Sequence, residues 1–143
     1  MAEAPKAICL VSCASKKLDG THPAKDLYVS DLFSKSVRYA EQNADEWLIL
    51  SAKYGLLKPS TVIGKYDITL NAMSVYARRE WADRVFQDLM DVLNPGDRVI
   101  ILAGQRYAEF LIPKLRDHGV VVDRPLEGLR IGEQLSWLKE RNR

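Results

Sequence analysis

The order of elements along the chain predicts an α/β fold, a three-layer sandwich with helices on both faces of a four-stranded, mostly parallel sheet. Two observations carry the prediction. Short apolar runs alternate with longer stretches of helical period, and those stretches are long enough to return the chain right-handedly to a neighbouring parallel strand. A length of 143 residues, 47% hydrophobic and 28% charged, is that of one domain with its own core. No repeat, low-complexity tract or Pro/Gly/Ser-rich linker divides it, so residues 1–143 are read as a single domain.

The first strand is Ala7–Ser12 (AICLVS), apolar on both faces and closed by polar residues. A polar loop runs from Cys13 to Lys25. Asp26 can cap a helix reaching about Gln42, with Leu27, Ser30, Leu32, Phe33, Val37 and Ala40 along one stripe. Trp47–Ser51 (WLILS) is the second strand. From Ala52 to Leu70 no helical period is sustained, and Gly55, Pro59 and Gly64 interrupt the segment. So long a loop in a compact domain points to function. A second helix occupies Ser74 to Leu93 and ends in the turn Asn94-Pro95-Gly96-Asp97.

Val99–Ala103 (VIILA) is the third strand. Gln105–Arg116 is the third helix, kinked or divided by Pro113. Gly119–Val122 is the fourth strand. The segment Pro125–Arg130 is a loop, and Ile131–Arg141 a closing helix with Leu135 and Leu138 inward. Nothing local fixes the strand order; 2-1-3-4 is the working expectation.

Composition excludes several classes. A net charge of +2 is too small to argue for a polyanion or membrane partner, which would need base concentrated locally. The two cysteines, Cys9 and Cys13, would lie roughly 13 Å apart along one strand, beyond bridging distance, so both are expected as free thiols. Cys9, Cys13, His22 and His118 have no recognised ligand spacing, and no metal or cofactor is expected. Gly104-Gln105-Arg106-Tyr107 carries neither the Walker A nor the dinucleotide glycine pattern. Met1–Lys6 lacks a signal-peptide pattern and no apolar run exceeds strand length, so a cytoplasmic location without membrane contact is expected. Oligomeric state is left open.

Ligands of open α/β sheets bind outside the carboxyl ends of the strands. Those ends read Ser12-Cys13-Ala14-Ser15-Lys16-Lys17, Ser51-Ala52-Lys53-Tyr54-Gly55, Ala103-Gly104-Gln105-Arg106-Tyr107 and Asp123-Arg124-Pro125-Leu126-Glu127-Gly128. Small residues let a ligand approach the backbone, while lysine and tyrosine supply charge and stacking surface. Ser12, Cys13, Lys17, Tyr54, Gly55, Gly104, Gln105, Tyr107 and Gly128 are therefore expected to bind substrate. Between Ala52 and Tyr66 stand Lys53, Lys58 and Lys65 with Tyr54 and Tyr66 and no acid, a footprint that suits a nucleotide or a lysine-rich solvated loop equally well. Asp67 follows directly; a carboxylate there can orient water or stabilise positive charge on a sugar ring, or serve as a turn residue. Cys13 is a nucleophile if nearby Lys16 and Lys17 favour its thiolate, and otherwise a small buried thiol.

Several of these segments carry a resemblance. Val11-Ser12-Cys13-Ala14-Ser15-Lys16-Lys17, Asp26 to Phe33, Ser51 to Leu57, Tyr66 to Leu70 and Pro125 to Leu135 are together similar to a family of small bacterial and phage domains. Tyr54-Gly55-Leu56-Leu57-Lys58-Pro59 through Tyr66 resembles the YaaA peroxide-stress proteins, which bind DNA. The spacings Cys13-x-x-Lys16 and Leu27-Tyr28-x-Ser30 resemble the catalytic domain of archaeosine synthase, a tRNA base-modifying enzyme, and add Tyr28 and Ser30 to the substrate-binding set. Both groups imply a uracil-DNA glycosylase-like architecture. The resulting expectation is a nucleic-acid- or nucleotide-acting domain that cleaves or exchanges an N-glycosidic bond. Asp67 would be its catalytic carboxylate, and Lys53 and Lys16 would hold phosphate or base. A non-catalytic DNA- or RNA-binding stress module and a small-molecule nucleotide binder remain open beside it.

Overall fold

The computed structural model describes residues 4–14 and 16–143. Its main sheet is built on β1 (Ala7–Ser12), which is buried along most of its length because it has a strand on each side. On one side β3 (Glu46–Ser51) pairs in parallel, with Leu10 opposite Leu48. On the other, β6 (Arg98–Leu102) pairs in parallel, with Leu10 opposite Ile101, and β7 (Val121–Asp123) extends the sheet beyond it. These four parallel strands stand in the order 2-1-3-4.

The sheet has a fifth strand that the sequence reading lacked. β4 (Gly55–Leu57) folds back antiparallel on β3, pairing Ser51 with Gly55 and Ile49 with Leu57. The whole order is β4-β3-β1-β6-β7. Gly55 makes the reversal feasible: its φ is +74°, a left-handed conformation that costs glycine little, and a Cβ there would stand 3.6 Å from the Val85 side chain.

Alternation along the strands sends their side chains into two cores. Ile8, Leu10, Leu48, Leu50, Val99 and Ile101 pack beneath α3 (Val75–Met90) and α5 (Leu111–Asp117). Cys9, Val11, Ile49, Ile100 and Leu102 face α2 (Asp31–Asn43) and α6 (Ile131–Arg141). The result is a three-layer α/β sandwich. Among the described residues no helix is long and apolar enough to cross a membrane.

Three departures from the sequence reading have a local reason. Asp26 does not cap a long helix; it lies in the four-residue α1 (Ala24–Leu27), and the chain is then extended through Tyr28. Leu18 N donates to Leu27 O and Val29 N to Lys16 O, both at 2.9 Å, so pairing with the preceding loop displaces helical continuation. The helix restarts behind Ser30, whose hydroxyl accepts from Phe33 N at 3.0 Å. The third helix divides into α4 (Gln105–Ala108) and α5 at Glu109-Phe110. Pro113 then falls in the first turn of α5, where its missing N–H costs nothing. Gly119 and Val120 cap α5 through N–H groups donated to Arg116 O and Leu115 O, which delays β7 to Val121.

The Cys13–Ser30 and Ala52–Leu70 segments are not structureless. β2 (Thr21–Pro23) pairs antiparallel with β5 (Val62–Gly64), Ala24 N donates to Thr61 O at 2.7 Å, and Lys25 N donates to Pro59 O at 2.9 Å. A short 3-10 turn at Leu70–Ala72 leads into α3. The two loops thus satisfy each other's backbone groups.

At the opposite end of the sheet Asp97 holds the turn before β6. Its carboxylate accepts from Asn94 N at 2.8 Å and Lys6 N at 3.0 Å, and these bonds hold its pKa below the usual carboxylate value. A depressed carboxylate stabilises the fold above its unfolded pKa of about 3.9, and that stability disappears as pH falls through the lower folded value. Asp97→Asn should therefore lower the melting temperature at pH 7 and differ less from the parent at pH 2–3, as read by thermal denaturation across pH.

Candidate functional site

Because β1, β3 and β6 run in parallel, the residues that follow them emerge at one edge. Two features occupy that edge. The first is a cavity of about 260 Å³ between the ends of β1 and β6 and the first turns of α2 and α6. Leu32, Phe33, Leu102, Leu126 and Ile131 form its apolar wall, and Ser12, Cys13, Ser30, Ser36 and Gln134 supply polar atoms. Gly104 completes its rim.

The second feature is a buried chain of hydroxyls. Tyr66 Oη shares one hydrogen bond with Ser51 Oγ and another with Tyr28 Oη, each 2.7 Å. Ser51 is fixed from two further sides: Tyr54 N donates to its hydroxyl at 3.1 Å, and Trp81 Nε1 donates to its carbonyl at 2.8 Å. Trp81 meets the Tyr107 ring edge-on at 5.5 Å between centroids, and Tyr107 Oη lies 3.3 Å from Cys13 Sγ. The short helix α4, which carries Tyr107, is secured by Glu109. Its carboxylate accepts from Arg78 Nε at 3.0 Å, while Arg78 Nη1 donates to Met73 O at 2.7 Å.

Burial sets the protonation of this cluster. It pushes the Tyr28 hydroxyl up to about 12 and raises Tyr66 and Tyr107 further, with Cys13 adding to each, so all three remain neutral hydroxyls at physiological pH. Lys17 is only 8% exposed and its Nζ stands 4.2 Å from the centroid of the Tyr66 ring, a cation–π contact. Burial lowers its pKa, and the neighbouring Cys13 and Asp67 oppose that shift.

The substrate-binding residues expected from sequence divide accordingly. Ser12, Cys13, Ser30 and Gly104 line the cavity. Tyr28, Tyr107 and Lys17 belong to the adjoining hydroxyl cluster. Gly55 is buried in the hairpin turn, where its role is conformational. Tyr54 stands 40% exposed with its ring edge-on to Tyr66 at 5.6 Å. Gln105 is exposed and accepts from Arg124 Nη1 at 3.1 Å, and Gly128, with φ +78°, turns the loop after β7.

The three residues expected to do chemistry stand apart from the cavity wall. Lys16 and Lys53 are exposed on the loops after β1 and β3, the latter with Nζ 5.2 Å from the Tyr54 ring centroid. Asp67 is exposed beside Tyr66, within electrostatic reach of Lys17. Among the described residues no group of three or more His, Cys, Asp or Glu side chains could hold a metal ion. Ser36 and Gln134 line the cavity and sequence reasoning did not name them; Ser51 and Tyr66 stood in segments it singled out but were given no role. A polar Ser51 closing a buried apolar strand was the available signal; Ser36 and Gln134 gave none.

The shared position of Tyr66 Oη predicts unequal effects. Tyr66→Phe deprives two hydroxyls of a partner and should cost about 1–3 kcal/mol, whereas Tyr28→Phe deprives one and should cost less. The double variant should be less destabilised than the sum of the two, as measured by urea denaturation in a double-mutant cycle.

Comparison with other sequences gives kinship without an activity. "Uncharacterized protein YfjM" of Bacillus subtilis (strain 168) is 29% identical over 126 residues, covering 79% of this chain and 79% of that protein. No solved structure matches the chain significantly. Residues 8–140 match the family described as "Family of unknown function (DUF6884)", and the chain belongs to that family.

Proposed function

We propose that this domain takes one nucleobase-sized ring of a nucleoside, nucleotide or nucleic-acid strand into the cavity and acts on its N-glycosidic bond. The observation that carries the reading is the cavity itself. At about 260 Å³ it falls below the roughly 300 Å³ at which drug-sized sites begin. Its apolar walls and polar serine and glutamine groups match a heterocycle's apolar faces and hydrogen-bonding edge. The exposed lysines Lys16 and Lys53, on the loops that follow β1 and β3 at the same edge, would meet phosphate outside. The resemblance to YaaA proteins, to the archaeosine synthase catalytic domain and to uracil-DNA glycosylase architecture supports the same substrate class.

Glycosidic cleavage develops positive charge on the sugar, and a carboxylate that is stronger for that charge than for the ground state accelerates it. Asp67, adjacent to Tyr66 and sharing the field of Lys17, is the carboxylate assigned to that role. Incubation of the protein with DNA, tRNA and nucleotide pools, followed by mass spectrometry, should reveal a released or exchanged base. Asp67→Asn should lower that turnover by about 100-fold while leaving ligand affinity and melting temperature unchanged. Equal turnover in the variant would remove Asp67 from the chemistry.

Exposed Tyr54, Val62 and Ile68 among the same lysines favour a second reading, a nucleic-acid-binding module without catalysis. Salt-sensitive binding of oligonucleotides with no product in the same assay would decide for it.

A further inference from the structure

We propose that Cys13 is a covalent nucleophile that adds to an electrophilic carbon of the ring held in the cavity, activated by Lys17 and by the hydroxyl of Tyr107. The substrate class rests on the base-in-cavity reading above; the reactivity of the thiol does not.

Cys13 is the residue at which the two features of the sheet edge meet. It lines the cavity, and its Sγ lies 3.3 Å from Tyr107 Oη, which belongs to the polar cluster. Tyr107 is held in place by its edge-on contact with Trp81, and the Arg78–Glu109 pair fixes the helix it stands on. Lys17 follows four residues later and brings a cation to the same cluster, its Nζ 4.2 Å from the centroid of the Tyr66 ring. Cys13 N donates to Leu50 O at 2.9 Å, which fixes the backbone under the sulfur as a continuation of the sheet.

Cys9 provides the internal contrast. It projects to the same face of β1 but is fully buried in the core, where loss of hydration pushes its thiol up to about 12. Cys13 is half-buried and opens on a cavity. The same chain therefore holds one thiol built as core and one placed among a cation, a hydroxyl and a binding space.

The step balances without an oxidant, metal or further reactant. The thiolate pair forms an Sγ–C bond to a carbon of a polarised ring double bond, and the π pair of that bond moves to the far ring atom. That atom receives the proton given up by the thiol, passed through Tyr107 Oη, which accepts one proton and donates another. The sum is reversible addition of S–H across the double bond.

Iodoacetamide is the probe, since it forms an S–C bond with iodide as leaving group and reads thiol nucleophilicity directly. On the full chain at neutral pH, with peptide mapping by mass spectrometry, Cys13 should react about ten-fold faster than N-acetylcysteine, and Cys9 only after denaturation. Lys17→Met and Tyr107→Phe, checked for folding by circular dichroism, should each slow Cys13 several-fold. A Cys13 rate equal to that of N-acetylcysteine and unchanged in the folded variants overturns the proposal; if either variant does not fold, the wild-type rate and the other variant decide. Saturating nucleoside should protect Cys13. Fast alkylation without protection would keep the nucleophile and defeat the base-in-cavity reading, whereas protection with an ordinary rate would do the reverse.

Discussion

The hydroxyl chain Tyr28–Tyr66–Ser51 is the interaction on which the carboxyl edge of the sheet depends. It joins the link between α1 and α2, the end of β3 and the loop after β5, three segments remote in sequence. Loops carry backbone groups that must find partners when they are laid across a core. Here the partners are largely other loop atoms: the β2–β5 ladder, Ala24 with Thr61, Lys25 with Pro59, and the Lys17–Tyr28 bridge. An unpartnered buried hydroxyl costs about 1–3 kcal/mol. A domain is stable by only about 5–15 kcal/mol, so the three hydroxyls are a large share of what keeps these loops down.

This arrangement separates the rigid parts of the edge from its exposed side chains. Strand ends fix Ser12, Cys13 and Ser51 because each continues a hydrogen-bonded ladder whose neighbours are buried. The helices contribute the cavity wall, Phe33 from α2 and Ile131 from α6. The loops then bring tyrosines and Lys17 across the edge, and leave Lys16, Lys53 and Lys58 in solvent. On the proposed reading, a ligand with one flat apolar part and one anionic part would meet both kinds of surface at the same end of the sheet.

How much of this was legible follows from how local each signal is. The parallel strands were readable because Ala7–Val11 and Val99–Leu102 are continuous apolar runs of strand length, as a strand covered on both faces requires. The closing helix was readable to its ends. β4 was not, since three residues after a tight turn carry no period, and its existence depends on the free edge of β3. Asp26 and Ser30 are both capping residue types, and only the pairing of Tyr28 with Lys17 decides between them. At the site, the rule about strand ends found Ser12, Cys13 and Gly104, which line the cavity. It could not find that Tyr66 meets Tyr28 from 38 positions away, because that contact is made by tertiary structure alone.

Chemical-shift mapping by two-dimensional NMR during titration with nucleosides and nucleoside monophosphates is the sharpest test of the proposal that the cavity at the ends of β1 and β6 is the ligand site. The predicted result is saturable movement of amides at Cys13, Phe33, Ala103, Gly104 and Gln134, with smaller movement at Lys53 and Tyr54 when a phosphate is present. Movement confined to the exposed lysine loops, with the cavity amides unmoved at saturating ligand, would contradict it.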